Sequence, residues 1–207
     1  MKIKFFYYFM IVLAFDFNQS LAVDRLVIKP IGFSEESFFY YATNPACICK
    51  KNKCIYSDEA GEQICVPEKL MSINLINDKV SPAKKEELQL LKINEKNTPK
   101  LATFPTDFEE DSFSISLGDL CNMDSENYGV QKKCDVFLVS KKHGKKKITS
   151  FSFYATPMDS FTVLGYFKHS SKPKLAILIS EGHKHFEEVN DFKQHLVGAD
   201  LIKGFKR

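Results

Sequence analysis

The chain has 207 residues, 44% of them hydrophobic and 27% charged, proportions that exclude wholesale disorder, collagen-like repetition and a multispan membrane protein. Its 29 basic and 26 acidic residues leave a net charge of +3, too balanced to point by itself to nucleic acid. Six cysteines in a chain of this length fall below the density of a disulfide miniprotein.

Met1 to Ala22 reads as a secretory signal peptide. Lys2 and Lys4 supply the positive end, Phe5 to Phe15 is an unbroken apolar run, and Ser20-Leu21-Ala22 sets small residues before a cut preceding Val23. A membrane-spanning helix needs about 20 apolar residues, and Asp16, Asn18 and Gln19 end this run early. No later segment is long and apolar enough to span, so the mature chain is expected to be secreted or periplasmic, with no transmembrane segment.

All six cysteines, Cys47, Cys49, Cys54, Cys65, Cys121 and Cys134, follow the expected cut. An even count in an exported chain reads as disulfides. Spacing separates a cluster of four from a pair of two, and Cys121–Cys134 is the expected bridge of that pair, worth about 3 kcal/mol by the loop it closes. Within Cys47–Cys65 three pairings stay open. A four-cysteine zinc site is the rival, but its C-x-C-x4-C spacing departs from the usual knuckle.

From Val23 the apolar residues fall in short runs of Phe, Tyr, Val and Ile between turn residues, the pattern of strands. Leu26–Ile31, Ser37–Thr43, Ala46–Cys49, Cys54–Tyr56, Gln63–Val66 and Met71–Ile76 form a Cys-rich β region over 23–77. Residues 78–111 are rich in Lys, Glu and Pro and read as a linker with one short helix. Its expected start is Ser81 as N-cap with Pro82 at the first helical position, and Leu88, Leu90 and Leu91 form its apolar stripe.

Five strands are expected in 112–207: Ser112–Leu117, Cys134–Lys141, Lys147–Ala155, Ser160–Lys168 and Lys174–Ser180. Phe151 and Phe153 alternate with Ser150 and Ser152, as a half-exposed antiparallel strand requires, whereas Leu175–Ile179 is continuously apolar and belongs at the centre. Phe186, Val189, Phe192 and Leu196 carry helical spacing, with Gly198 as its stop, and predict a C-terminal helix. The expected fold is mainly β, an antiparallel sandwich or meander with one or two short peripheral helices, reinforced by disulfides.

No sequence motif names a reaction. The glycines are scattered, with no G-x-G turn, so neither a dinucleotide fingerprint nor a P-loop can be assembled locally. The chain also lacks a G-x-S-x-G elbow and an H-E-x-x-H helix. No catalytic residue can be assigned and no cofactor is expected. The candidate metal ligands are His183 and His185, two residues apart and so on one face of an extended segment. The candidate anion-binding patch is Lys141, Lys142, Lys145, Lys146 and Lys147 at a hairpin tip around His143-Gly144. With almost no arginine, such a patch would bind diffusely rather than read phosphate geometry or a nucleic-acid sequence. Asp107, Glu109, Glu110 and Asp111 read as solvated charge, with the lysine tip of the same or another molecule as the alternative partner. The expectation is an exported, non-catalytic binding or structural protein that meets a protein or polyanionic surface through sandwich loops. The alternative is a secreted or periplasmic hydrolase or metal-dependent protein using His183 and His185.

Overall fold

A computed structural model describes residues 26–45, 47–50, 53–58, 61–65, 68–93, 98–121, 131–154, 160–184 and 190–205. The expected signal peptide lies outside them. Strands dominate, as the sequence pattern requires. The first sheet takes β1 (Val27–Phe33), β2 (Ser37–Thr43), β6 (Glu68–Asn74) and β7 (Val80–Pro82), neighbours in that order. Between β2 and β6 the chain makes a separate three-stranded ribbon, β3 (Ile48–Lys50), β4 (Lys53–Asp58) and β5 (Gly61–Ile64). A second large sheet has the order β11-β10-β9-β8, from β8 (Thr106–Phe108), β9 (Asp111–Leu117), β10 (Gln131–Ser140) and β11 (Gly144–Tyr154). The last three strands, β12 (Ser160–Lys168), β13 (Lys174–Lys184) and β14 (Asn190–Asp200), form an antiparallel meander.

That meander is the central layer. Leu175, Ile177 and Ile179 of β13 pack with Phe113, Val136 and Leu138 of the β8–β11 sheet. Ala176 and Leu178, the alternate positions, pack with Phe38, Tyr40 and Ile73 of the first sheet and with Leu75 in the turn after β6. Successive strand side chains leave opposite faces, so a strand buried on both sides must be apolar at every position, as Leu175–Ile179 is. The outer face of the first sheet is closed in turn by a helix, whose Leu88 packs with Ile31 and Phe39.

That helix, α1 (Lys85–Leu90), is shorter than the sequence predicted and starts later. Ser81 and Pro82 belong to β7 instead, where the Ser81 hydroxyl lies 3.2 Å from that of Ser72 on β6. β7 is an edge strand, a place that tolerates a proline without a backbone donor. Of the predicted stripe only Leu88 is buried, while Leu90 and Leu91 are exposed.

From Asn190 onward the predicted C-terminal helix is a strand, while its Phe186 and Val189 lie outside the described residues. β14 pairs with β13 over its whole length, Lys174 opposite Asp200 through Lys184 opposite Asn190. Leu196 faces the first sheet and Val197 and Ala199 face the β8–β11 sheet, the two-sided burial a strand permits and an amphipathic helix does not. Gly198 is required for packing rather than as a stop: a Cβ there would lie 2.6 Å from Leu75 Cα.

Both edges of the central sheet are partly covered. Ala102, in the connection after α1, exchanges backbone hydrogen bonds with Tyr166 of β12 (2.9 and 2.8 Å). On the other side Gln194 N–H of β14 donates to Leu26 O (3.0 Å) and Gly198 N–H donates to Asp78 Oδ1 (2.6 Å). All six cysteines are bridged: Cys121–Cys134 as the spacing predicted, with Cys47–Cys65 and Cys49–Cys54 resolving the choice left open in the cluster. The zinc reading of that cluster is thereby set aside.

Candidate functional site

The lysine tip does not present its five lysines together. In the β10–β11 pairing Lys146 stands opposite Leu138, whereas Lys145 and Lys147 stand opposite Val139 and Phe137. Leu138 is a core residue, so the alternation that exposes Lys145 and Lys147 turns Lys146 inward. Its ammonium donates to the Asp200 and Lys203 carbonyls and lies 4.6 Å from the centre of the Phe205 ring. Burial lowers its pKa, partly offset by Asp200. Lys147 pairs with Asp135 (2.8 Å), Lys142 with Glu110 (3.3 Å), and Lys145 sits 3.9 Å over the Phe137 ring. Lys141 is exposed.

Glu110 thus faces the lysine tip, as expected of the acidic run, but Asp111 is not solvated. It is buried and accepts hydrogen bonds from the Ser140 hydroxyl, from Lys142 N–H (3.1 Å) and from Ser112 N–H (2.8 Å). Ser140 Oγ accepts in turn from His143 N–H (2.7 Å). Burial alone would raise the Asp111 pKa, but these donors and the nearby His143 outweigh it and hold the group below its ordinary value. Its role is to tie the β10–β11 turn.

The backbone of His183 is in β13 opposite Asp191, and His185 lies outside the described residues. The described residues contain no group of three or more His, Cys, Asp or Glu arranged for a metal ion. A third histidine, not assigned from the sequence, makes the defined contact: His195 Nε2 lies 2.6 Å from Glu181 Oε2, and its ring centroid is 4.6 Å from that of Phe151. The pair is diagonal across β13 and β14, so its sequence signal depends on knowing the register.

Two surfaces stand out. One is the β3–β5 ribbon. None of its described side chains, those of Ile48–Lys50, Lys53–Ile55 and Cys65, belongs to a core cluster, and Cys47–Cys65 and Cys49–Cys54 tie it together with backbone pairing. Ile48, Cys49, Lys50 and Lys53 are all exposed, Ile48 to 61%. The base of the ribbon is closed by Thr43 pairing directly with Glu68, so it is an excursion from a β2–β6 hairpin.

The other is a groove of about 290 Å³ along β14, where β1 diverges from the central sheet into the first one. Leu26, Ile28 and Val80 line one side and Thr149 and Phe151 the other, with Lys193, His195 and Leu196 along β14. Asp78 closes one end. Burial raises its pKa to about 6, against the lowering effect of the Gly198 N–H bond. Burial also pushes Tyr40, at the bottom, up to about 12. Tyr40 and Tyr166 are buried and Tyr41 is half-buried, so these three form no exposed aromatic face.

No protein-family model, curated protein or solved structure matches the chain.

Proposed function

We propose that the chain is an exported, non-catalytic binding protein that meets a protein partner through the stapled ribbon. The observation that carries this is the ribbon's construction: two disulfides staple a segment whose described side chains belong to no core cluster, while its apolar Ile48 faces water. Covalent bonds that add nothing to a core still lower the entropy lost when a surface docks. Exposed Ile48 beside Lys50 and Lys53 fits a partner with a small apolar pocket and an acidic rim. Export is supported by the bridging of every cysteine, and no described helix is long and apolar enough to cross a membrane. The lysine tip supports a polyanionic partner less well, because its charges are split between faces and local carboxylates.

The competing reading is a hydrolase or metal-dependent protein using His183 and His185; the groove offers it a different pair, His195 and Asp78. Site-specific photo-crosslinking separates the two. A crosslinker at Ile48 should capture one discrete partner from the protein's native surroundings, and the same group at Ile202, also an exposed isoleucine, should not. Equal labelling from both positions, or none from Ile48, contradicts the proposal.

A further inference from the structure

The row of backbone groups along the outer edge of β14 is interrupted. Gln194 N–H and Gly198 N–H point away from β13, to Leu26 O and Asp78 Oδ1. Strand alternation turns the N–H and C=O of Leu196, midway between them, the same way. Leu196 is 8% exposed, and these two groups have no partner among the described residues. Leu26 pairs with Lys193 as the start of a parallel fourth strand, but β1 then leaves for β2, and Ile28 N–H donates to the Gln194 side chain (2.8 Å) instead. The groove is the gap that this divergence opens. Buried backbone donors and acceptors are nearly always paired, and one donor and one acceptor on a single residue of a strand edge are the complement of one residue in an added strand.

We infer that this groove binds a short extended peptide with free termini, adding antiparallel to β14 through the backbone of Leu196. The end charges choose the direction. An antiparallel peptide brings its amine to Asp78, beside Gly198, and its carboxylate toward Lys193, whereas a parallel one meets like charge at both ends. Asp78 has no cationic partner among the described residues, and burial already disfavours its ionised form; an ammonium compensates both. Lys193 and Gly198 are about 17 Å apart along the strand, and an extended tripeptide covers about 10 Å, leaving the remainder to the lysine side chain. Leu26, Ile28, Val80 and Phe151 supply apolar walls for a central aliphatic or aromatic side chain. The groove's volume is near the lower limit of small-ligand sites, which favours a tripeptide over a longer segment. The site uses no residue of the ribbon.

The test is titration of the 15N-labelled protein with Ala-Leu-Ala, Ala-Val-Ala and Ala-Phe-Ala, each free, N-acetylated and C-amidated. At least one free tripeptide should move the Leu196 amide resonance saturably, and acetylation should weaken it about tenfold. Asp78→Asn, which keeps an oxygen for Gly198 N–H, should bind free and acetylated peptide equally. Lys193→Gln should do the same for amidation. No saturable change at Leu196 with any free tripeptide at about 10 mM, well above a millimolar Kd, overturns the inference. So does equal affinity of the wild type for free and blocked peptides.

Discussion

Asp78 and Asp111 are carboxylates that the fold pushes in opposite directions, and the difference is a count of donors. Asp111 accepts three hydrogen bonds, which outweigh its burial, so its folded pKa lies below 3.8. The stability it contributes is present above that value and is lost as pH falls through the folded pKa. Asp78 accepts one, from Gly198, and burial dominates, raising it from 3.8 to about 6. Its contribution is therefore full below 3.8 and is lost as pH rises toward 6. Urea unfolding across pH should show Asp78→Asn gaining on the wild type between these values and holding that gain at neutral pH. Asp111→Asn should lose about 1–3 kcal/mol at neutral pH and less in acid. Parallel curves for the two variants would contradict the opposed shifts. Neither role was legible in the sequence. Asp111 sits in an acidic run, and only the pairing of β9 with β10 brings it beneath Ser140 and the turn. Asp78 reaches a residue 120 positions away.

At the scale of elements, the sequence pattern identified strands wherever one period governed the burial. β2 alternates Phe38 and Tyr40 toward the central layer with Phe39 and Tyr41 toward α1, and β13 is apolar on both faces. The spacing of Cys121 and Cys134 was enough to pair them because they stand apart from the other four. β14 misled because Phe192 and Leu196 also fit a helical stripe; local period cannot reveal that β13 offers eleven consecutive partners. The lysine tip misled for the complementary reason, since charge composition ignores the alternation that turns Lys146 inward. Gly198 decides between the two readings of β14 experimentally. As a helix stop it would tolerate alanine at a cost below about 1 kcal/mol, but a Cβ in the strand meets backbone at 2.6 Å. Gly198→Ala should therefore destabilise by about 1–3 kcal/mol in thermal unfolding, and an unchanged Tm would argue for the helix.

The whole molecule separates what holds it together from what it displays. The central sheet is covered on both faces, the first sheet is backed by α1, and Cys121–Cys134 is buried in the core. The described side chains of the β3–β5 ribbon stand outside these clusters, and the ribbon carries its own two bridges on a hairpin that Thr43 and Glu68 already close. Replacing Cys47–Cys65 with a short Gly-Ser turn tests that separation. In urea the variant should unfold in one cooperative transition, within about 1 kcal/mol of the full chain. A chain that unfolds without cooperativity, or loses several times that stability, would show that the bridges support the core rather than a binding surface.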